Sequence, residues 1–177
     1  MNSRLIVLLT LVASAALMRL LPHPPNFTPV AALALFAGAH FERRSLAFLV
    51  PLVAMFLSDV VLELTTGFGF HSQAPAVYLS FIAVVGIGLW LQPRRRAPLV
   101  LGAALLSSAV FFALSNFGLW AEGSLYPRTI EGLVACYIAA IPFFGATVLG
   151  DLFYCAVMFG LFAAVERRLP RSALQPA

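Results

Sequence analysis

Arg19, Asp59, Glu63, Asn116 and Asp151 are the side chains whose chemistry is out of keeping with their surroundings, because each stands in or at the end of an apolar run. A charged group inside a hydrocarbon span costs about 2.5 to 3.5 kcal/mol at the centre and less toward the edge, so such groups turn inward and find partners. Arg19 with Asp59 or Asp151 is the natural pair. Two chemistries follow from this. The polar groups are either interhelical ion pairs that lock a bundle, or the polar wall of a ligand pocket to which His23, Asn26 and Tyr126 also belong. For a pocket, Phe27, Phe68, Phe70, Trp120, Tyr126 and Tyr137 offer flat surfaces to a planar molecule.

Other chemistries find less support. His23 and His71 have no HExxH or paired-cysteine spacing around them, so a solvated or backbone-bonded imidazole is expected for each, and for His40. Ser58 and Asp59 are adjacent, which on a helix points them apart and not toward each other as nucleophile and base. There is no glycine loop to cradle a phosphate. Cys136 and Cys155 sit in apolar runs and read as small buried hydrophobes. The expectation is therefore a protein that is not an enzyme and that needs no metal and no cofactor.

The elements that must hold these residues are helices in a membrane. Of 177 residues 62% are hydrophobic and 10% charged, and mean hydropathy is +0.97, which leaves almost no room for a soluble fold. One all-α integral membrane domain, 1–177, is expected. Its six spans fall at residues 5–21, 28–40, 45–64, 76–91, 97–120 and 146–165, with a half-helix at 132–144. Eleven arginines and no lysine give a net charge of +4. They gather at helix ends, a pattern that does not suggest a nucleic-acid surface.

The stretch from Leu21 to Pro29 has the most constrained backbone. Pro22, Pro24, Pro25 and Pro29 forbid a helix and favour an extended, PPII-like segment over 22–27, with Thr28-Pro29 as the cap and first residue of the next helix. That helix, 28–40, rises roughly 20 Å against a hydrocarbon core of roughly 30 Å, so the proline segment has to supply the missing depth. Ala34 and Gly38 form a small-xxx-small pair suited to close helix packing.

The last region, 132–165, is too long for one span at roughly 50 Å, so a break around Pro142 to Gly145 is expected. With six spans the charges sort: Arg4, Arg43, Arg44, Arg94, Arg95, Arg96, Arg167, Arg168 and Arg171 fall on one side and Arg128 alone on the other. By the positive-inside rule the termini are cytoplasmic, in the plasma (inner) membrane. Arg4, the run that follows it and Ala13-Ser14-Ala15 have the order of a signal peptide. The apolar run continues to Leu21, which favours a retained span. The tail 172–177 is expected to fray.

The segments RLLPHPPNFTPVAALALFAGA, SNFGLW, ACYIAAIPFF and GDLFY together resemble an uncharacterised family of small bacterial six-span membrane proteins. In size, span number and the proline segment leading to a small-residue helix, the chain is also architecturally similar to the S components of energy-coupling-factor vitamin transporters. That resemblance implies a subunit that binds a small vitamin-like molecule from outside and works with a transmembrane coupling subunit and ATPases. Arg19, His23, Asn26, Asp59, Asn116, Tyr126 and Asp151 would be its ligand-binding residues. S components often carry an Ala-xxx-Ala docking pattern in the first helix, whereas here Ala13, Ala15 and Ala16 form no such pair. A second reading is a non-transporting scaffold whose polar layer is structural.

Overall fold

A computed structural model describes residues 3–67, 69–70 and 72–168. Phe68, His71, Arg171 and the tail 172–177 lie outside the described residues. Those described form an all-helical chain of α1 (Ser3–Met18), α2 (Val30–His40), α3 (Arg44–Thr66), α4 (Ala74–Leu91), α5 (Ala97–Glu122) and α6 (Ile130–Glu166), with a short 3-10 turn, Gln92–Arg94, after α4. Four of these, α3 to α6, are long and apolar enough to cross a membrane; α1 and α2 are shorter apolar helices. Among the described residues, four helices and not six are thus long and apolar enough to span.

The short helix α2 is the centre of the bundle. Every one of its eleven residues is buried, as expected of a helix that is apolar on all sides. A short helix buried in this way has free N–H groups at one end and free carbonyls at the other, with little water to satisfy them. Other helices supply the partners. At the N-terminal end, the Asp151 carboxyl of α6 faces the Ala32 backbone N–H. At the C-terminal end, Arg4 of α1 donates to His40 O at 2.9 Å, and Gln92 donates to Phe41 O at 3.0 Å. An acidic group at the start and a basic group at the end also match the helix dipole.

These contacts place the chain ends. Arg4 also pairs with Glu42 at 2.9 Å and lies 3.7 Å from Glu166. The start of α1, the α2–α3 corner, the end of α4 and the end of α6 therefore meet at one end of the bundle, which carries the arginine clusters. The loops 19–29 and 123–129 and the described residues between α3 and α4 lie at the other. His40 is buried at the arginine end, its Nδ1 3.0 Å from Phe36 O and its ring against Phe36, Phe159 and Phe162. It is backbone-bonded, and so is His23, whose Nδ1 is 2.6 Å from Leu21 O.

Small residues let α2 and α4 touch backbone to backbone. A Cβ on Gly38 would fall 2.3 Å from Val85 O, and one on Gly88 would fall 2.4 Å from Leu35 O. Ala34 and Gly38 therefore serve packing inside the bundle, as small residues commonly do between membrane helices.

Three local expectations are corrected. Residues 132–165 do not break at Pro142 to Gly145; α6 is one helix of 37 residues, about 55 Å long. Pro142 removes a single backbone donor, and the turns on both sides of it are held on α5. Tyr137 donates to Ala113 O at 2.6 Å, Cys136 lies 3.4 Å from Asn116 O, and the rings of Phe112 and Phe144 are 4.8 Å apart. The α2 helix begins at Val30 with Pro29 as its cap and no side-chain cap bond from Thr28, because Asp151 takes that role from α6. The proline segment is not extended throughout: Phe27 N donates to Pro24 O at 3.1 Å, and Asn26 has φ 62°. Proline followed by a left-handed asparagine is the type II turn pattern.

Candidate functional site

Above the N-terminal end of α2, where the short helix stops and the longer ones continue, the bundle encloses a cavity of about 620 Å³. Its floor is Val30 and Thr28, and its near wall is Arg19, directly after α1, with His23 and Asn26 from the proline segment. The far wall comes from two facing stripes. On α5 these are Phe111, Phe112, Ser115, Asn116 and Leu119; on α6 they are Cys136, Ala139, Ala140, Phe143, Phe144 and Thr147. Gln73 and Tyr126 reach in from the two loops at that end. Such a volume lies within the roughly 300 to 1,000 Å³ range of small-molecule pockets.

Arg19, His23, Asn26, Asn116 and Tyr126, proposed from the sequence as site residues, line this one cavity. Asp59 and Asp151 do not, and both have other partners. Asp59 Oδ1 is 2.8 Å from Arg19 Nη1, and its Oδ2 accepts from the Tyr78 hydroxyl at 2.6 Å. Arg19 Nη1 also bonds to the Ser58 hydroxyl, which in turn donates to Met55 O at 2.7 Å. Arg19 therefore pairs with Asp59 and not Asp151, tying α1 to α3 and, through Tyr78, to α4. Glu63 is also structural: its Oε2 accepts from Gly69 N and Phe70 N, each at 3.0 Å, and so holds the loop after α3.

The two sequence segments PHPPNFTP and GDLFY meet beside Asp151. The Ser108 hydroxyl of α5 donates to its Oδ2 at 2.6 Å, so one carboxyl group joins α5, α6 and the start of α2. Gly150 makes this possible: a Cβ there would sit 3.2 Å from both Phe27 Cα and Thr28 N. Phe27 then stacks on Phe153 and Tyr154, with ring centroids 5.7 and 5.6 Å away. Asp151→Ala strands the Ala32 donor in an apolar interior and is expected to lower stability by about 1 to 3 kcal/mol. Asp151→Asn keeps an oxygen acceptor for Ala32 and is expected to retain most of it. Thermal unfolding of the two variants in detergent makes the comparison.

Of the described aromatic residues proposed for a planar ligand, Tyr126 alone lines the cavity; Phe68 lies outside the described residues. Phe70 packs on Phe56, Trp120 donates to Pro127 O and Thr129 O, and Tyr137 is bound to Ala113 O. The aromatic wall is instead Phe111, Phe112, Phe143 and Phe144. Their signal in the sequence is helical spacing: 136, 139/140, 143/144 and 147 form one stripe only when 130–166 is read as a single helix. Among the described residues no group of three or more His, Cys, Asp or Glu side chains comes together, and both cysteines are free and buried.

A family of unknown function, DUF6580, matches residues 1–173. The chain belongs to that family. The DUF6580 match takes in all six helices, so the cavity, the proline segment and the Asp151 junction all lie inside it. No curated protein and no solved structure matches the chain.

Proposed function

We propose that this DUF6580 protein is a membrane-embedded binding subunit that takes a small, planar, vitamin-like molecule from outside the cell, in the manner of an S component. Binding and not catalysis is its role. Transport is driven by partner ATPases through a transmembrane coupling subunit. In this reading α1 and α2 complete six crossings together with the proline segment, the arginine end is cytoplasmic, and the cavity opens to the exterior of the plasma membrane. The observation that carries it is the cavity itself: it lies at the end of the bundle opposite the arginine clusters and is walled partly by non-helical backbone. Irregular backbone at membrane depth is tolerated where it is buried or lines a cavity. The Ser115 hydroxyl bonds to Phe111 O and the Cys136 thiol to Asn116 O, so these potential nucleophiles are engaged with backbone.

A scaffold role is the second reading, favoured by one specific observation: Asp59 and Asp151 are both engaged in contacts between helices. The two readings separate on a thermal-stability screen of the detergent-purified full chain against a panel of vitamins. The binding reading expects at least one compound to raise the unfolding midpoint in a saturable way. A panel without effect supports the scaffold.

A further inference from the structure

We infer that the molecule taken by the cavity carries an acidic group, a carboxylate or its equivalent, and that Arg19 receives it. The inference rests on the binding reading and deepens it. Among the described residues that line the cavity, Arg19 and His23 are the basic side chains, and no aspartate or glutamate is among them. A cationic ligand would find no counter-charge on the walls. Asp59, the nearest carboxylate, is behind Arg19 and is already held by it and by Tyr78.

The guanidinium geometry leaves room for a second anion. The bonds of Arg19 to Met55 O, Ser58 and Asp59 all run from the one nitrogen Nη1. Arginine presents five N–H donors in a planar fork, so the Nε and Nη2 edge of a side chain anchored through Nη1 matches a carboxylate bidentately. Asp59, Ser58 and Met55 then act as the holder that fixes the plane of that fork. Across the cavity on α5, Asn116 uses one Nδ2 proton on Phe112 O at 2.8 Å, and its carbonyl oxygen and second N–H remain for a polar substituent of the ligand. The opposite wall of phenylalanines suits a flat ring. An aromatic acid of one or two rings satisfies both halves of the cavity.

Matched acid and amide probes test this on the detergent-purified full chain: nicotinate against nicotinamide, and indole-3-acetate against indole-3-acetamide. The expected result is that an acid raises the unfolding midpoint while its amide needs at least about tenfold higher concentration for the same shift, the loss of one charge-assisted contact. The double variant Arg19→Gln/Asp59→Asn, which keeps the shape of the pair without its charges, is expected to erase that difference. Amides that bind as well as acids overturn the inference and leave the binding reading standing. An acid preference that survives in the double variant overturns the role of Arg19. Silence from all four probes together with the whole vitamin panel overturns the binding reading, and this inference with it.

Discussion

Gly88→Val is expected to be the most damaging single substitution in this protein, lowering stability by about 3 kcal/mol or more. Already a β-carbon at Gly88 would be 2.4 Å from Leu35 O and 2.8 Å from Gly38 Cα. Both are backbone atoms, which cannot swing aside as the end of a flexible side chain can. The helices would have to separate, and α2, buried along its whole length, has little freedom to move because Asp151 and Arg4 hold its two ends. The yield of monodisperse protein and its thermal midpoint in detergent measure the effect. Gly86→Ala, on the same helix with open space around the added carbon, serves as the control and is expected to match the parent protein.

The second large effect is expected at the ion pair. Arg19→Gln leaves the Asp59 carboxylate, with a side chain only 5% exposed, with Tyr78 as its remaining partner, and a broken buried pair costs about 3 to 5 kcal/mol. Asp59→Asn is milder, since Arg19 lines the cavity and its side chain is more exposed, 15% against 5% for Asp59. The double variant Arg19→Gln/Asp59→Asn is expected to be more stable than Arg19→Gln alone, with a coupling energy of about 1 to 3 kcal/mol. Chemical or thermal unfolding of the two single variants and the double one closes the cycle. Additive losses would mean that the two side chains do not act as a pair in the folded protein.

Much of this arrangement was legible in the residues. The arginine clusters sorted to one end because apolar runs of helical length alternate with them. Arg4, Glu42 and Glu166 meet at one end of the bundle. Arg19 had to find a carboxyl group because a lone charge in an apolar span is costly. The role of Asp151 was not legible. Its partner is the free N-terminus of another helix, a group that exists only once α2 is folded and is not visible as any side chain. Pro142 misled for a related reason: its local cost is real, but contacts of Tyr137 and Phe144 with α5 hold the helix across it. That error also hid the cavity's second wall, since Cys136, Ala140, Phe144 and Thr147 share a face only across an unbroken helix.

The same wall supplies the most direct test of the central claim, that the cavity above α2 is where this protein binds its ligand. Ala140 lines the cavity from α6, and Ala140→Trp fills it while leaving Arg19, Asp59 and Asp151 in place. For a compound that stabilises the parent protein in the vitamin and acid panels, equilibrium binding to this variant should be lost, or weakened more than about 100-fold, while its own unfolding midpoint stays close to that of the parent. Undiminished binding to a folded Ala140→Trp protein would contradict the account and place the ligand elsewhere.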